Sequence, residues 1–181
     1  NTLYPNQAYG RTILGPSLNI KNFDRKMFDD FRAKHYHGGN LVVTVSGNVD
    51  PTKILRSIED AIGDMPGGHR STFDPAVIAT GCEHVIRPGR KQTSLMVTFE
   101  TGGVGHPENA AEGVLDSVLS SGMSSRLFQE IREKRSLVYS VSSGISRTFD
   151  NGFMYASAGT SPEKVPELLS VLSTELDKIR Q

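Results

Sequence analysis

The stretch Leu137–Ala158, LVYSVSSGISRTFDNGFMYASA, decides the fold class. Both of its halves are rich in β-branched and aromatic residues, and Asp150-Asn151-Gly152 between them is a turn sequence that strongly predicts a β-hairpin. Because a hairpin joins antiparallel strands, this stretch argues against a doubly wound parallel sheet. The sequence therefore predicts an α+β lobe, in which a two-layer mixed sheet carries helices on one face.

Helical and strand patterns flank the hairpin on both sides. Before it, His106-Pro107 opens a helix with one apolar side, and Ser124 can cap a second helix. After it, Ser161-Pro162-Glu163 opens a last helix that runs to the final residues. Two further segments, His84–Arg87 and Thr93–Phe99, have the composition of strands.

The first third of the chain has a helix–strand–helix pattern of its own. Asn19–His35 has one apolar stripe and is predicted to be helical, while Leu41–Val45 (LVVTV) is typical of a strand covered on both faces. Asp50-Pro51 is an N-cap followed by a first-turn proline, and Gly63 ends that helix. The segment that follows is rich in Gly and Pro and indicates a linker. The expected division is 1–63 (end of a first domain), 64–82 (linker) and 83–181 (start of a second domain).

Charge and cysteine content exclude several classes of function. The chain has 20 Lys plus Arg and 20 Asp plus Glu, so it lacks the basic surface of a protein that binds nucleic acid or anionic lipid. No apolar run approaches the ~20 residues of a membrane-spanning helix. The single cysteine, Cys82, excludes an internal disulfide and a cysteine-based zinc cluster. We expect neither a nucleic acid nor a membrane as a partner, and the compartment stays open.

The spacing of the five histidines does not predict a metal site. His35 and His37 lie at a helix end without further ligands nearby, and Cys82–His84 are consecutive residues that cannot all face one ion on a strand. His69 and His106 lie in glycine-rich loops with no acidic or sulfur partner at ligand spacing. Neither H-x-x-E-H nor H-E-x-x-H occurs. We therefore expect no metal ligand and no catalytic residue within this chain.

The segment Ser120–Val141 carries the candidate substrate-binding residues, Arg132 and Tyr139. If Ser124–Arg135 is helical, Arg132 lies in the last turn, where the helix dipole favours a cation, and Tyr139 lies early in the next strand. A bend between them can direct a guanidinium and a phenol to one patch, where both can donate to a peptide carbonyl or a developing oxyanion. Spacing alone favours the ordinary alternative, in which Arg132 pairs with a neighbouring glutamate and Tyr139 only packs.

Three runs of sequence carry a family resemblance: LGPSLNIKNFDRKMFDDFRAKHYHGGNLVVTVSGNVDPTKILRSIEDAIG (14–63), SSGMSSRLFQEIREKRSLVYSV (120–141) and DNGFMYASAGTSPEKV (150–165). Together they resemble the pitrilysin, insulinase and mitochondrial processing peptidase family of zinc proteases. The resemblance implies repeated α+β domains around a chamber, with the H-x-x-E-H motif and a further glutamate in a first domain, upstream of Asn1. Zinc is then expected in the full-length protein or its partner, and not in this chain.

By the same resemblance, Arg132 and Tyr139 match the family's Arg/Tyr pair, which faces the zinc across the chamber and helps to hold the substrate or the tetrahedral intermediate. In two-domain members the pair can act across a subunit interface. Arg126 and Glu130 are expected to position the helix. Ser136 stands where the family usually has glycine, which makes the backbone geometry of the bend a point to test.

The resemblance implies that this chain is the non-zinc-binding region of a zinc metalloendopeptidase that hydrolyses peptides or unfolded polypeptides. The expected assembly is a homo-oligomer or hetero-oligomer with another family subunit. One alternative is a zinc-free homologous subunit or scaffold that partners a separate catalytic chain. Another is a stand-alone binding module, which would be a well-behaved monomer.

Overall fold

The structure, a computed structural model, describes residues 2–179 and divides into two compact units. The helical unit is Arg11–Asp74, and the sheet unit combines the chain up to Gly10 with the chain from Pro75 onward. The expected division into family domains at residues 63 and 82 stays a prediction. No helix in the described residues is both long and apolar enough to cross a membrane.

The helical unit contains three α-helices within its described residues: α1 (Ser17–Lys21), α2 (Arg25–His35) and α3 (Pro51–Ile62). One continuous helix was predicted over Asn19–His35, but the chain breaks it. The Asp24 carboxylate accepts a hydrogen bond from the backbone N–H of Met27 at 2.8 Å and so starts α2 as a separate helix.

The predicted start of α3 is confirmed. Asp50 is its N-cap, and the carboxylate accepts from the backbone N–H groups of Thr52 and Lys53 at 2.9 and 3.3 Å. Pro51 occupies the first turn, where its missing N–H donor is not needed. This boundary could be read from sequence because every interacting group lies within four residues.

The strand predicted over Leu41–Val45 does not form, and neither does the one predicted over His84–Arg87. Leu41 has extended dihedral angles, φ −104° and ψ 132°, but Val42 is 87% exposed. A strand needs a neighbour to satisfy its N–H and C=O groups. The described part of the helical unit contains no strand that could be that neighbour.

The sheet unit is built on three antiparallel strands, β1 (Thr93–Thr101), β2 (Ser140–Arg147) and β3 (Gly152–Thr160), in the order β1-β3-β2. Helices α4 (Asn109–Ser120) and α5 (Val165–Ile179) accompany them. The α+β class is confirmed. Residues 180 and 181, to which the last helix was predicted to run, lie outside the described residues.

The predicted hairpin forms with its loop at residues 148–151. Arg147 pairs with Gly152 in register, and the Thr148 N–H donates to the Asn151 carbonyl at 2.7 Å.

The outer edge of β2 is partly covered by the end of α4. There the Ser143 N–H donates to Ser120 Oγ at 2.9 Å, which removes a free donor from the sheet edge.

The core of the sheet unit lies between the sheet and its helices. Met154 and Ala156 alternate along β3 and are buried, as the period of two in a strand requires. Four side chains from the helices of the sheet unit are completely buried, with 0% exposure. They are Leu119, Leu127, Ile131 and Leu168. Arg132 and Tyr139 therefore lie next to residues that are fixed by packing.

Truncating Ile131 should destabilise the full-length protein by about 2–5 kcal/mol, because Ile131→Ala leaves a cavity in a fully buried position. Guanidinium denaturation followed by far-UV circular dichroism measures the loss. The matched control is Leu169→Ala, since Leu169 is 41% exposed on α5. Equal losses in the two variants would contradict this placement of the core.

Candidate functional site

The helix that carries Arg132 begins one residue later than predicted and then changes type. Ser125 accepts at its carbonyl from the N–H of Gln129 at 3.0 Å, so Ser125 rather than Ser124 precedes the first turn. From Phe128 to Glu133 the helix is π-helical, and the N–H of residue 134 donates five residues back to Gln129 at 3.0 Å. Such single π turns widen a helix by one residue and recur at functional sites.

A left-handed residue closes this helix and turns the chain toward β2. Ser136 has φ +49°. Its N–H donates to the Arg132 carbonyl, and the Leu137 N–H donates to the Ile131 carbonyl, both at 3.0 Å. These two bonds satisfy carbonyls that a helix end otherwise leaves free. The conformation explains why glycine suits this position, because a side chain in the left-handed region costs about 1–2 kcal/mol.

The bend brings both predicted site residues to one open depression of about 440 Å³. Arg132 lies on the helical side of the bend, and Tyr139, which is 83% exposed, lies on the strand side. Neither side chain is sealed in the interior. The other residues that line the depression are Glu133, Ser136, Leu137, Val138, Ser161 and Lys164.

The Arg132 side chain makes no ion pair or hydrogen bond to any described residue. Its guanidinium carbon lies 4.7 Å from the centroid of the Phe128 ring, a cation–π contact that leaves its N–H edges available. The neighbouring carboxylate of Glu130 instead accepts from Lys134 Nζ at 2.5 Å and from Arg135 Nη1 at 2.7 Å. The alternative in which Arg132 pairs with a neighbouring glutamate is therefore not what the described residues adopt.

Glu130 stabilises the last turn of the helix through its contacts with Lys134 and Arg135. Hydrogen bonds from Lys134 and then Arg135 favour its carboxylate form and lower the pKa of Glu130 from 4.5 to about 2. Arg135 Nη1 also donates to the Glu130 carbonyl at 2.7 Å. The contacts support the positioning role expected of Glu130, whereas the same role for the exposed Arg126 stays a prediction.

His106, Glu108 and Glu112 form a cluster of possible metal ligands that the sequence analysis did not predict. His106 was expected to have no acidic partner, but one of its ring nitrogens and one carboxylate oxygen from each of Glu108 and Glu112 lie within 4.8 Å of one another. Glu112 also forms an ion pair with Arg147, which no local pattern predicts. Because Arg147 already neutralises Glu112, this donor set does not fit a zinc hydrolase site with three free ligands. No catalytic step is assigned to it.

Lowering the pH should weaken the turn that Glu130 stabilises. Since its folded pKa is depressed, the stabilisation is complete above about pH 4.5 and is lost as the pH falls toward about 2. Glu130→Gln should therefore flatten the dependence of melting temperature on pH in this window. Circular dichroism melts measure it. The control is Glu167→Gln, an exposed carboxylate without an ion pair among the described residues; an equal flattening there would contradict the assignment.

Ser136→Gly should stabilise the full-length protein by about 0.5–1 kcal/mol. The change removes the left-handed strain, and glycine's larger unfolded-state entropy offsets part of that gain. Chemical denaturation midpoints measure the difference. Ser140→Gly is the matched control, because Ser140 lies in β2 and glycine weakens a strand. Destabilisation by Ser136→Gly would show that the positive φ is not under strain.

Comparison with known proteins gives a consistent set of relatives. The sequence profile described as Peptidase M16 inactive domain matches residues 22–181. A protein of Rickettsia felis named "Uncharacterized zinc protease" is 36% identical over all of this chain, which covers 44% of that protein. A protein of Streptomyces coelicolor with the same description is 34% identical over all of this chain, which covers 41% of it. The chain thus spans less than half the length of these relatives.

Two solved structures share the fold. The peptidase M16 inactive domain from Pseudomonas fluorescens has a TM-score of 0.85 at 24% identity, with 97% of this chain and 44% of that chain covered. A chain of Complex III2 from Candida albicans has a TM-score of 0.81 at 16% identity, with 94% and 43% covered. At these identities the likeness is one of fold.

Proposed function

The chain belongs to the peptidase M16 family, and on that premise we propose that it contacts the peptide substrate within a zinc metallopeptidase without itself binding zinc. Relatives of this chain are named zinc proteases, so zinc is expected in the whole protein. The hydrolysis of peptides or unfolded polypeptides by the whole protein is part of the proposal, and so is its assembly with another family subunit.

The observation that carries the proposal is the shared depression at the bend. Arg132 and Tyr139 line it from opposite sides of Ser136, and both are open to solvent. An exposed arginine without a carboxylate partner can still form charge-assisted hydrogen bonds with an incoming acceptor, and these are among the stronger hydrogen bonds in proteins.

The donor chemistry of the pair suits a peptide carbonyl. Arg132 offers several N–H donors in a fixed plane, and Tyr139 offers one O–H donor. A carbonyl oxygen can accept two hydrogen bonds, and it accepts them more strongly as negative charge develops during attack on the carbonyl carbon. We assign to Arg132 and Tyr139 the binding and orientation of the scissile or an adjacent carbonyl, and the stabilisation of its charge.

A second candidate is a zinc-free subunit or scaffold that partners a separate catalytic chain. The exposed aromatic side chains of α2, Phe28 and Phe31, form apolar surface that a protein partner or another part of the full-length protein would cover. The fold shared with a chain of Complex III2 is compatible with such an assembly. The motif H-x-x-E-H and bound zinc in the full-length protein would favour the protease, and their absence would favour the scaffold.

Altering the Arg132 guanidinium or removing the Tyr139 hydroxyl should lower turnover of an unfolded substrate by the full-length protein. We expect Tyr139→Phe to reduce kcat/KM for fluorescein-labelled casein by about 100- to 1,000-fold, the range for one lost oxyanion donor, and Arg132→Lys, which keeps a charged donor but loses the planar guanidinium, to reduce it by about 10- to 100-fold. Zinc content, measured by atomic absorption, should be unchanged in both.

Matched controls for this test change the same residue types elsewhere. Arg87→Lys and Tyr36→Phe alter exposed side chains that make no side-chain hydrogen bond among the described residues, and both should retain full turnover. Wild-type kinetics in both Arg132→Lys and Tyr139→Phe would remove the functional assignment. Casein binding without turnover or zinc in the wild type would support the scaffold instead.

A further inference from the structure

The carbonyl of the left-handed residue is held by a side chain from a distant element. Lys164, which lies just before α5, donates from Nζ to the Ser136 carbonyl at 2.8 Å across 28 residues of sequence. Nothing in the sequence around either residue predicts this contact. The charged amine of Lys164 thus binds the backbone of Ser136, the residue at the bend with a φ of +49°.

The carbonyl of the next residue accepts a hydrogen bond from the end of β3. Thr160, at the end of β3, is 1% exposed, and its Oγ1 donates to the Leu137 carbonyl at 2.5 Å. The Tyr139 N–H donates to the Gly159 carbonyl at 3.3 Å. The end of β3 and the connection to α5 therefore bond to the bend at three residues, and Lys164 makes its contact at the residue under strain.

We propose that Lys164 is a positioning residue for the Arg132–Tyr139 pair, an inference that rests on the proposed function. Arg132 lies four residues before Ser136 and Tyr139 lies three residues after it. A rotation of the Ser136 peptide plane would therefore change the separation of the two donors. The bond from Lys164 opposes that rotation, because a hydrogen bond from a charged donor is stronger than one between neutral groups and would have to break.

The contacts of Lys164 favour positioning over a direct charge contact with substrate. Its Nζ is already bonded to the backbone at Ser136. Glu163 lies beside it, and the pKa of Glu163 is lowered first by a hydrogen bond from the Ser161 hydroxyl and also by the charge of Lys164. A cation with a backbone acceptor and a neighbouring carboxylate is poorly suited to attract a further anion.

The test compares Lys164→Met with Lys164→Arg in the full-length protein, with fluorescein-labelled casein as the probe. Lys164→Met should lower kcat about 5- to 30-fold with KM changed less than about 2-fold, since misplaced donors lose more in the transition state, where charge develops on the carbonyl oxygen, than in the substrate complex. Lys164→Arg keeps a charged donor and should recover most of the turnover. Lys91→Met, at an exposed lysine without a described partner, should match wild type.

Glycine at the bend provides an independent check. In a Ser136→Gly background the left-handed conformation no longer needs support, so Lys164→Met should cost less turnover there than in the wild type. Thermal unfolding of every variant separates loss of fold from loss of positioning. Should Lys164→Met fail to fold alone, Lys164→Gln, whose shorter and neutral side chain weakens the same bond, replaces it in every comparison, with the same expected fall in kcat.

The possible failures are distinguishable. Normal kcat in Lys164→Met, an equal loss in the Ser136→Gly background, or a rise in KM alone would overturn the positioning role. If Arg132→Lys and Tyr139→Phe still lowered kcat/KM, the proposed function would stand without it. If those two variants matched wild type, or if the wild type did not turn over casein, both would fail.

Discussion

The left-handed bend at Ser136 is the constraint on which the candidate site depends. Without it the helix would continue past Arg135, and Tyr139 could not return to the same surface as Arg132. A serine in this conformation is strained by about 1–2 kcal/mol, so the surrounding structure must hold it there. It does so with helix-end bonds to the Ile131 and Arg132 carbonyls and with the Lys164 contact.

Packing explains why the bend presents its donors outward. Ile131 is fully buried against the core, and Arg132 is the next residue along the helix, so burying the first directs the second toward solvent. On the other side of the bend, Leu137 and Val138 are buried and Tyr139 is exposed. The hydrophobic effect acting on aliphatic neighbours thus sets the exposure of both functional side chains, and the bend sets where they meet.

Features that depend on neighbouring residues in sequence could be predicted, and those that depend on distant ones could not. The hairpin around Asp150-Asn151-Gly152 and the Asp50 cap are local, and both are confirmed. The strand over Leu41–Val45 failed because β-branched composition does not supply a hydrogen-bonding partner. Pattern reasoning also missed the ion pair from Arg147 to Glu112, whose members lie 35 residues apart.

The candidate site also combines local features that could be predicted with distant contacts that could not. The sequence contained the reason to suspect Arg132 and Tyr139, namely two donors on either side of a helix-to-strand bend. It did not contain the π-helical turn over Phe128–Glu133, because apolar periodicity does not distinguish a π turn from an α turn. Nor did it indicate that Lys164 would reach the bend, since that contact depends on where the β3 to α5 connection lies.

The most direct test of the shared site is a double-mutant cycle on casein turnover by the full-length protein, built from Arg132→Lys, Tyr139→Phe and the two combined. If both donors act on one oxygen, the losses in kcat/KM should be non-additive, with a coupling energy of about 0.5–3 kcal/mol. Losses that simply add would show that the guanidinium and the phenol act at separate places, and would contradict a common site.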